Sequence, residues 1–398
     1  MLKKCRACGS TEVEIILDLG MMPLAGGFLN DKSEFSNEVK YDLKTYICNH
    51  CSLIQILDPV DPKILFTDYS FSSSTVLPLV KHFEDFAEWI VSKYKPRSVL
   101  EFGCNDGILL DPLKKLGIEV FGVDASPNIV QVAQKKGLDV THAFFDFQFA
   151  KKHLMSNQKV DVISGSNAFA HNDKPETILE AAKSLLNNDG TLILEFMYAG
   201  DLFEQVQWDT LYHEHLTFYS LANISKLLEK HGFYVFDAIR LTMHGGSLRI
   251  SAKTHNKIAK SNSYLKIQDY EKNILLNEPD TWKSFGIFVN RKINIVKEVL
   301  YNLSKNNSIW AYGAAGKATM WVNACELSFL EAVVDASPLR ANKFMPGTHT
   351  PIVFPEKFKL KKPEYTFITA WNYAENIKKN EDWYKGLWAT PLPNLMFF

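Results

Sequence analysis

The sequence carries no excess of either charge. Its 44 lysines and arginines are matched by 45 aspartates and glutamates, a formal net charge of −1 over 398 residues. A chain so balanced has no basic stripe to draw in phosphate backbones or anionic headgroups, so neither a nucleic-acid nor a membrane partner is expected. No apolar run is long enough to span a bilayer. The opening MLKKCRACGS lacks the apolar stretch of an export signal. A reducing cytoplasm is therefore the expected location, and paired cysteines there argue for metal or catalysis over disulfides. Three further patterns are missing. Neither Gly-rich turn reads GxGxxG, which weighs against a NAD-linked dehydrogenase. Gly313 and Gly316 stand too close for a P-loop, and no HExxH marks a catalytic metal. Which protein partners the chain has is not legible.

What is present suffices for two or three domains, each with a packed core, since 46% of the residues are hydrophobic. Four of the six cysteines form two CxxC knuckles, Cys5-Arg-Ala-Cys8 and Cys48-Asn-His-Cys51, with 39 residues between them. Two such knuckles side by side give a tetrahedral S4 set, the usual arrangement of structural zinc, with no position left for a substrate. Leu79, Phe83, Phe86, Ile90 and Tyr94 recur at helical spacing and predict an amphipathic helix over 77–95. From residue 98 strands alternate with helices. SVLEFG, IEVFGVD, DVISGS and TLILEFM read as buried strands, and FYVFDAIR and GSLRISAKTH as two more β segments. That order predicts a doubly wound, mostly parallel α/β sheet with an antiparallel end strand. After a helical stretch over 260–306, SIWAYGAAGKAT, LEAVVDASP, PIVFPE and EYTFITAWN predict a second α/β block. Both blocks share a strand, Gly turn, helix, strand, Asp order, ending in VDASP or a close variant, which suggests two Rossmann-like domains. The expected division is a zinc-binding module over 1–75, an α/β domain over 76–255, and a helical linker with the second Rossmann-like domain over 256–398.

The first Gly turn is Glu101-Phe-Gly103-Cys-Asn105-Asp-Gly107, between a strand and a helix, where backbone can approach a ligand. Asp124 closes the next strand, 17 residues after Gly107, where a carboxylate can take the hydroxyls of an adenosine ribose. The pattern ExGxNxG resembles the first motif of class I S-adenosylmethionine-dependent methyltransferases. That resemblance implies that Glu101 faces the cationic amino-acid end of the cofactor and that Asn167, after the fourth strand, lies near its sulfonium. Read alone, Asn167 is equally a turn residue. Asp146 either borders the adenine or caps a helix.

Read along the chain, CRACGS, LGMMPLAGGFL, CNHCSLIQ, YSFSSS, EFGCNDG, AHNDKPE, LYHEHLTFYS, MHGGSLRI, YGAAGKATM and PGTHTPI together resemble the deoxysugar C-methyltransferases. The resemblance covers nearly the whole chain. It implies a structural zinc ion, S-adenosylmethionine as cofactor, and methylation at carbon of a nucleotide-linked 4-keto-deoxysugar, commonly dTDP-linked and at C-3′. It puts Tyr212 and His215 in the sugar pocket with Glu214 beside them, and His171 and Tyr69 facing the same pocket. The chain departs from the pattern at Gly26 and Gly27, where an asparagine-containing loop is usual, and at Phe71, where an aromatic hydroxyl is often found. Both departures bear on which sugar fits.

Carbon methylation explains why LYHEHLTFYS crowds two histidines, a glutamate and two tyrosines into ten positions. A sugar carbon becomes nucleophilic only beside a ketone, once an α-proton is removed and the enolate oxygen held. His215 is the expected base and Tyr212 the acid or oxyanion donor, supported by Glu214 and His171. His213 and His215 would also suit a metal, but no third ligand stands near in sequence. His244, Arg249 and Lys317 are candidates for the substrate diphosphate. Arg249 is alternatively an internal ion-pair partner and Lys317 a solvated helix residue. An O- or N-methyltransferase, which needs no carbon base, and a non-catalytic nucleotide-sugar binding protein are the rival readings.

Overall fold

The computed structural model describes residues 3–66, 72–75 and 77–398; Tyr69 and Phe71 lie outside the described residues. Three sheets carry the chain. The middle one has seven strands: β4 (Ser98–Phe102), β5 (Glu119–Asp124), β6 (Val140–His142), β7 (Val160–Ser166), β8 (Leu186–Met197), β10 (Tyr234–Leu241) and β11 (Ser247–Lys253). Their spatial order is β10-β11-β8-β7-β4-β5-β6. β4 to β8 pair in parallel, and β11 runs antiparallel to both β8 and β10. This is the expected class I methyltransferase sheet, doubly wound. β4 is buried at all five positions, as a central parallel strand covered on both faces must be. The chain leaves β4 toward β5 on one side and returns beside it as β7, so a crevice opens at the carboxyl ends of β4 and β7.

Helices cover this sheet by the periodicity the sequence shows. Leu77–Tyr94 buries Leu79, Phe83, Phe86, Ala87 and Ile90 as one stripe. Each of its large apolar side chains contributes about 1.5–3 kcal/mol. Helix Leu221–Lys230 starts at a capping box between Ser220 and Asn223 and stops at Gly232, whose φ of +79° suits a residue without Cβ. β8 is longer than the sequence suggests: it begins at Leu186, ahead of the TLILEFM run.

The C-terminal sheet comprises β12 (Ile309–Tyr312), β13 (Val333–Val334), β14 (Ile352–Val353), β15 (Tyr365–Ile368), β16 (Leu387–Thr390) and β17 (Met396–Phe397), in the order β14-β13-β12-β15-β16-β17. All pairs are parallel except β16 with β17. Its crevice lies between β12 and β15. The last two strands have no clear signature in the sequence.

The N-terminal sheet joins β1 (Val13–Pro23), β2 (Lys40–Cys48) and β3 (Ile54–Ile56) to β9 (Thr217–Phe218), which comes from the heart of LYHEHLTFYS. Ile54 pairs with Phe218, Gln55 with Thr217, and the Ile56 N–H donates to the Leu216 carbonyl at 2.9 Å. The titratable segment is therefore built into the sheet that carries the cysteines. The connection between β1 and β2 grips the C-terminal half: the Gly347 N–H donates to Glu38 at 2.8 Å, and His349 stacks on Phe35 at 4.0 Å. Helix Pro279–Ser304 crosses β1 at Gly286, where a Cβ would sit 1.7 Å from the Ile16 carbonyl oxygen. Among the described residues no helix is long and apolar enough to cross a membrane.

Candidate active site

The two knuckles meet as their spacing predicts. One Sγ from each of Cys5, Cys8, Cys48 and Cys51 lies within 4.8 Å of all the others, with Cys5–Cys51 and Cys8–Cys48 both at 3.6 Å. Four thiols converging in a buried knot are a closed tetrahedral donor set. The Arg6 N–H inside the first knuckle donates to Gln55 at 3.0 Å, so the knot is tied to β3 and through it to β9.

At the carboxyl end of β4 the chain turns sharply. Gly103 has φ +61°, and a Cβ there would lie 2.4 Å from Ala168 Cβ; Gly107 has φ +79°, with Leu138 at 2.2 Å. Only glycine allows both the backbone angle and the close approach. Asp124 braces the turn: one carboxylate oxygen accepts the Asn105 N–H at 2.9 Å and the other the Ser126 N–H at 2.8 Å. Glu101 is 1% exposed, and its Oε2 has no hydrogen-bond partner among the described residues. Burial, then the charges of Asp124, Asp106 and Glu195, push its carboxyl well above the usual range. An unsatisfied buried acid among three others is a place where a cation is stabilised. The residues present therefore fit the cationic amino-acid end of S-adenosylmethionine. Asn167 adopts φ +54° beside Ala168, on the facing rim of the same crevice.

Contacts bear on two of the open alternatives. Asp146 caps a helix: its Oδ1 accepts the Phe149 N–H at 2.9 Å. Arg249 is the internal ion-pair partner. Its Nε and Nη2 lie 2.8 and 2.7 Å from Glu195 Oε2, and its guanidinium sits 3.5 Å over the Phe86 ring. His82 donates to the other oxygen of Glu195 at 2.6 Å. The guanidinium is thus committed within the sheet, and the diphosphate expectation for Arg249 is corrected. Ser72, Ser73 and Asn105 add a further tie over the crevice. Ser72 Oγ donates to Asp106 at 2.7 Å and the Ser73 N–H to Asn105 at 2.9 Å.

Beyond the crevice, LYHEHLTFYS gathers an aromatic cluster. The rings of Tyr212 and His215 are 4.1 Å apart, and those of His215 and His171 5.0 Å. His215 donates its Nδ1–H to the Thr210 carbonyl at 2.7 Å, so its Nε2 carries the lone pair. Burial, with His171 next, holds the imidazole well below its usual value, and burial alone holds His171 down to about 4. Glu214 is pushed up to about 7 by burial. His213 faces the other way, donating to the Tyr41 carbonyl at 3.3 Å, so it shares no metal with His215. His244, with a left-handed φ of +58°, stands close enough to depress His215 further.

Two more domains close on this cluster. An ideal Cβ on Gly26 would lie 3.6 Å from Glu214 Oε1, and one on Gly316 3.4 Å from the Tyr212 hydroxyl. Lys317 is not a solvated helix residue. Its Nζ is buried, without a hydrogen-bond partner among the described residues, 4.5 Å over the Trp371 ring. Burial lowers its pKa, against the pull of Asp209. Asp209 went unread in the sequence. Fully buried, it accepts the indole N–H of Trp321 at 2.9 Å and of Trp371 at 2.7 Å. Only the acidic, aromatic run before LYHEH hinted at it.

Three family models match: "Putative zinc binding domain" over residues 5–66, "Methyltransferase domain" over 80–238 and "C-methyltransferase C-terminal domain" over 242–393. The chain is 27% identical to C-methyltransferase NovU of Streptomyces niveus over 404 aligned residues, covering 98% of this chain and 96% of that protein. It is 30% identical over 105 residues to a ubiquinone biosynthesis O-methyltransferase of Glaesserella parasuis serovar 5 (strain SH0165), covering 25% of this chain and 44% of that one. The solved magnesium protoporphyrin IX methyltransferase of Synechocystis PCC 6803 matches at 19% identity and a TM-score of 0.34, covering 44% of this chain and 79% of that one.

Proposed function

We propose that this S-adenosylmethionine-dependent methyltransferase, in which a methyltransferase domain lies between a zinc-binding and a C-methyltransferase C-terminal domain, methylates a carbon of a nucleotide-linked 4-keto-deoxysugar. A dTDP-linked sugar methylated at C-3′ is the substrate we favour. The observation that carries the reading is the Tyr212–His215–His171 cluster with Glu214 beside it, facing a buried lysine of the C-terminal domain. Attack by oxygen or nitrogen needs little of this; attack by carbon needs a base and an oxyanion partner together.

Bound S-adenosylmethionine supplies an electrophilic methyl group on a sulfonium. The residues of the chain prepare the nucleophile. The hydrogen bond to Thr210 fixes the tautomer of His215, so that Nε2 takes the α-proton of the sugar. Its depressed basicity rises as substrate enters, because a diphosphate and a developing enolate both favour an imidazolium. The Tyr212 hydroxyl donates to the enolate oxygen, and His171 shapes the same wall. Lys317 meets the negative diphosphate, which relieves the isolation of its ammonium. Glu101 and Asp124 hold the two ends of the cofactor, and the four cysteines hold zinc to anchor β3 and β9.

A second assignment of the base has its own support. Burial pushes the Glu214 carboxyl up to about 7, close to where a general base is most effective. Solvent exchange separates the two. In deuterated water, His215→Asn is expected to stop deuterium entering the α-carbon of unreacted ketosugar while cofactor binding is unchanged. Full exchange in that variant, with none in Glu214→Gln, assigns the proton transfer to Glu214 instead.

A further inference from the structure

A base can act only if its ring is held. His215 gives its Nδ1–H to the Thr210 carbonyl at 2.7 Å, which leaves the Nε2 lone pair to the pocket. The same carbonyl takes the Tyr212 N–H at 3.0 Å, and the His215 N–H goes to the Tyr212 carbonyl at 2.9 Å. The aim of both rings therefore depends on where one backbone oxygen sits. That oxygen ends a single helical turn, Trp208–Thr210, buried at all three positions. A turn of three residues has too few internal hydrogen bonds to hold itself, so its place is set from outside.

The outside hold is Asp209, directly before Thr210. Its Oδ2 accepts the indole N–H of Trp321, on helix Gly316–Ala324, at 2.9 Å, and that of Trp371, in the turn after β15, at 2.7 Å. The rings of Trp208 and Trp321 pack edge to face at 4.6 Å. Two separate elements of the C-terminal domain thus converge on one carboxylate oxygen. The other oxygen, Oδ1, is buried and has no hydrogen-bond partner among the described residues. A buried carboxylate left half-satisfied is costly, and an apolar residue would serve packing better. The position needs an acceptor aimed at two indoles.

We propose that Asp209 is a positioning residue for the proton transfer: it locks the Trp208–Thr210 turn against the C-terminal domain and so sets the aim of His215 Nε2. This rests on the enolate chemistry given above, with His215 as base, and names what holds that base. The middle domain carries the imidazole, and the indoles of the C-terminal domain fix the turn to which it is bonded. Misplacement of a reacting group by about 1 Å costs roughly a hundredfold in rate.

Three variants of the full chain test this. Asp209→Leu keeps the bulk and removes the acceptor. Asp209→Asn keeps one oxygen for both indoles. Trp321→Phe removes one donor and leaves the acid in place. With S-adenosylmethionine and ketosugar, Asp209→Leu is expected to lower kcat and deuterium exchange at the α-carbon together, by about ten- to a hundredfold, with KM and S-adenosylhomocysteine affinity within about twofold of the parent. Asp209→Asn should recover most of the loss, and Trp321→Phe should fall between the parent and Asp209→Leu. Nitrogen-15 resonances of His215 in the S-adenosylhomocysteine complex, assigned with His215→Gln, give a readout that needs no ketosugar. They should show one tautomer, protonated at Nδ1, in the parent and in Asp209→Asn, and a mixture in Asp209→Leu. Parental kcat and tautomer in Asp209→Leu would overturn the proposal. So would a loss confined to KM, or an Asp209→Asn variant as poor as Asp209→Leu, since charge and not aim would then be at work. If Asp209→Leu does not bind S-adenosylhomocysteine, Trp321→Phe decides: parental kcat and tautomer there overturn the proposal. If the parent methylates no ketosugar, the reaction assignment fails, and the tautomer alone decides whether Asp209 positions His215.

Discussion

Replacing Arg249 by methionine separates a structural role from a ligand role. The guanidinium makes two contacts under 3 Å to one oxygen of Glu195, with both residues at least 95% buried. Removing it leaves a buried carboxylate supported by His82 alone. Breaking a buried ion pair on one side costs about 3–5 kcal/mol. For a domain of this size that corresponds to a fall of roughly 6–20 °C in melting temperature. The lower half of the range is expected, since His82 remains as a hydrogen-bond partner of Glu195. Adding Glu195→Gln removes the stranded charge while keeping an acceptor for His82, so the double variant should regain at least half of the loss. Differential scanning fluorimetry with and without S-adenosylhomocysteine reads both effects. If Arg249→Met melts like the parent and instead raises KM for the nucleotide-sugar, the guanidinium is a substrate ligand and the ion-pair account is wrong.

Other outcomes follow from the same geometry. Gly26→Ala should be silent, because its Cβ makes an ordinary 3.6 Å contact with Glu214, whereas Gly26→Asn should cut kcat/KM at least tenfold with S-adenosylhomocysteine affinity intact; equal loss in both variants would show a backbone effect. Gly103→Val should abolish cofactor binding, since its side chain would have to enter the space of Ala168 at a left-handed φ; retained binding in calorimetry would contradict the turn geometry. Glu214 is an acid whose folded value of about 7 lies above its unfolded one, so it disfavours folding progressively as pH climbs from about 4.5 to 7. Glu214→Gln should therefore raise the melting temperature at pH 8 and leave it unchanged at pH 4. Metal analysis of the purified chain should return one zinc per chain, and chelation should free four thiols to Ellman's reagent; a chain that is folded and metal-free as isolated would refute the closed site.

What the sequence makes legible is local. The CxxC pairs announce the thiol knot because a knuckle is four consecutive residues. The strand, Gly turn and Asp order announces both crevices because each is one βαβ unit. Periodicity predicts the helix over 77–95; it ends at Tyr94, with Leu79, Phe83, Phe86 and Ile90 buried and Tyr94 half-buried. The rest depends on partners far along the chain. Thr217 and Phe218 give no sign that they leave the middle domain to pair with Ile54 and Gln55, because two residues hold no pattern. Arg249 reads as a cation free for phosphate until Glu195 and Phe86 come beside it. Asp209 carries no signature of its own in the sequence; its place is set when two indoles from the C-terminal half close on it. Lys317 reads equally as a diphosphate ligand and as a solvated helix residue until Trp371 covers its ammonium. In each case the side chain is ordinary and the function of the position is set by tertiary packing.

The central claim is carbon methylation through an enolate. It is tested most directly by mass spectrometry on the purified protein with S-adenosylmethionine and a panel of nucleotide-linked 4-ketosugars in deuterated water. The account predicts a product heavier by one methyl group, with deuterium appearing in unreacted substrate. A methylated product with no exchange into substrate would point to oxygen or nitrogen as the acceptor and contradict it.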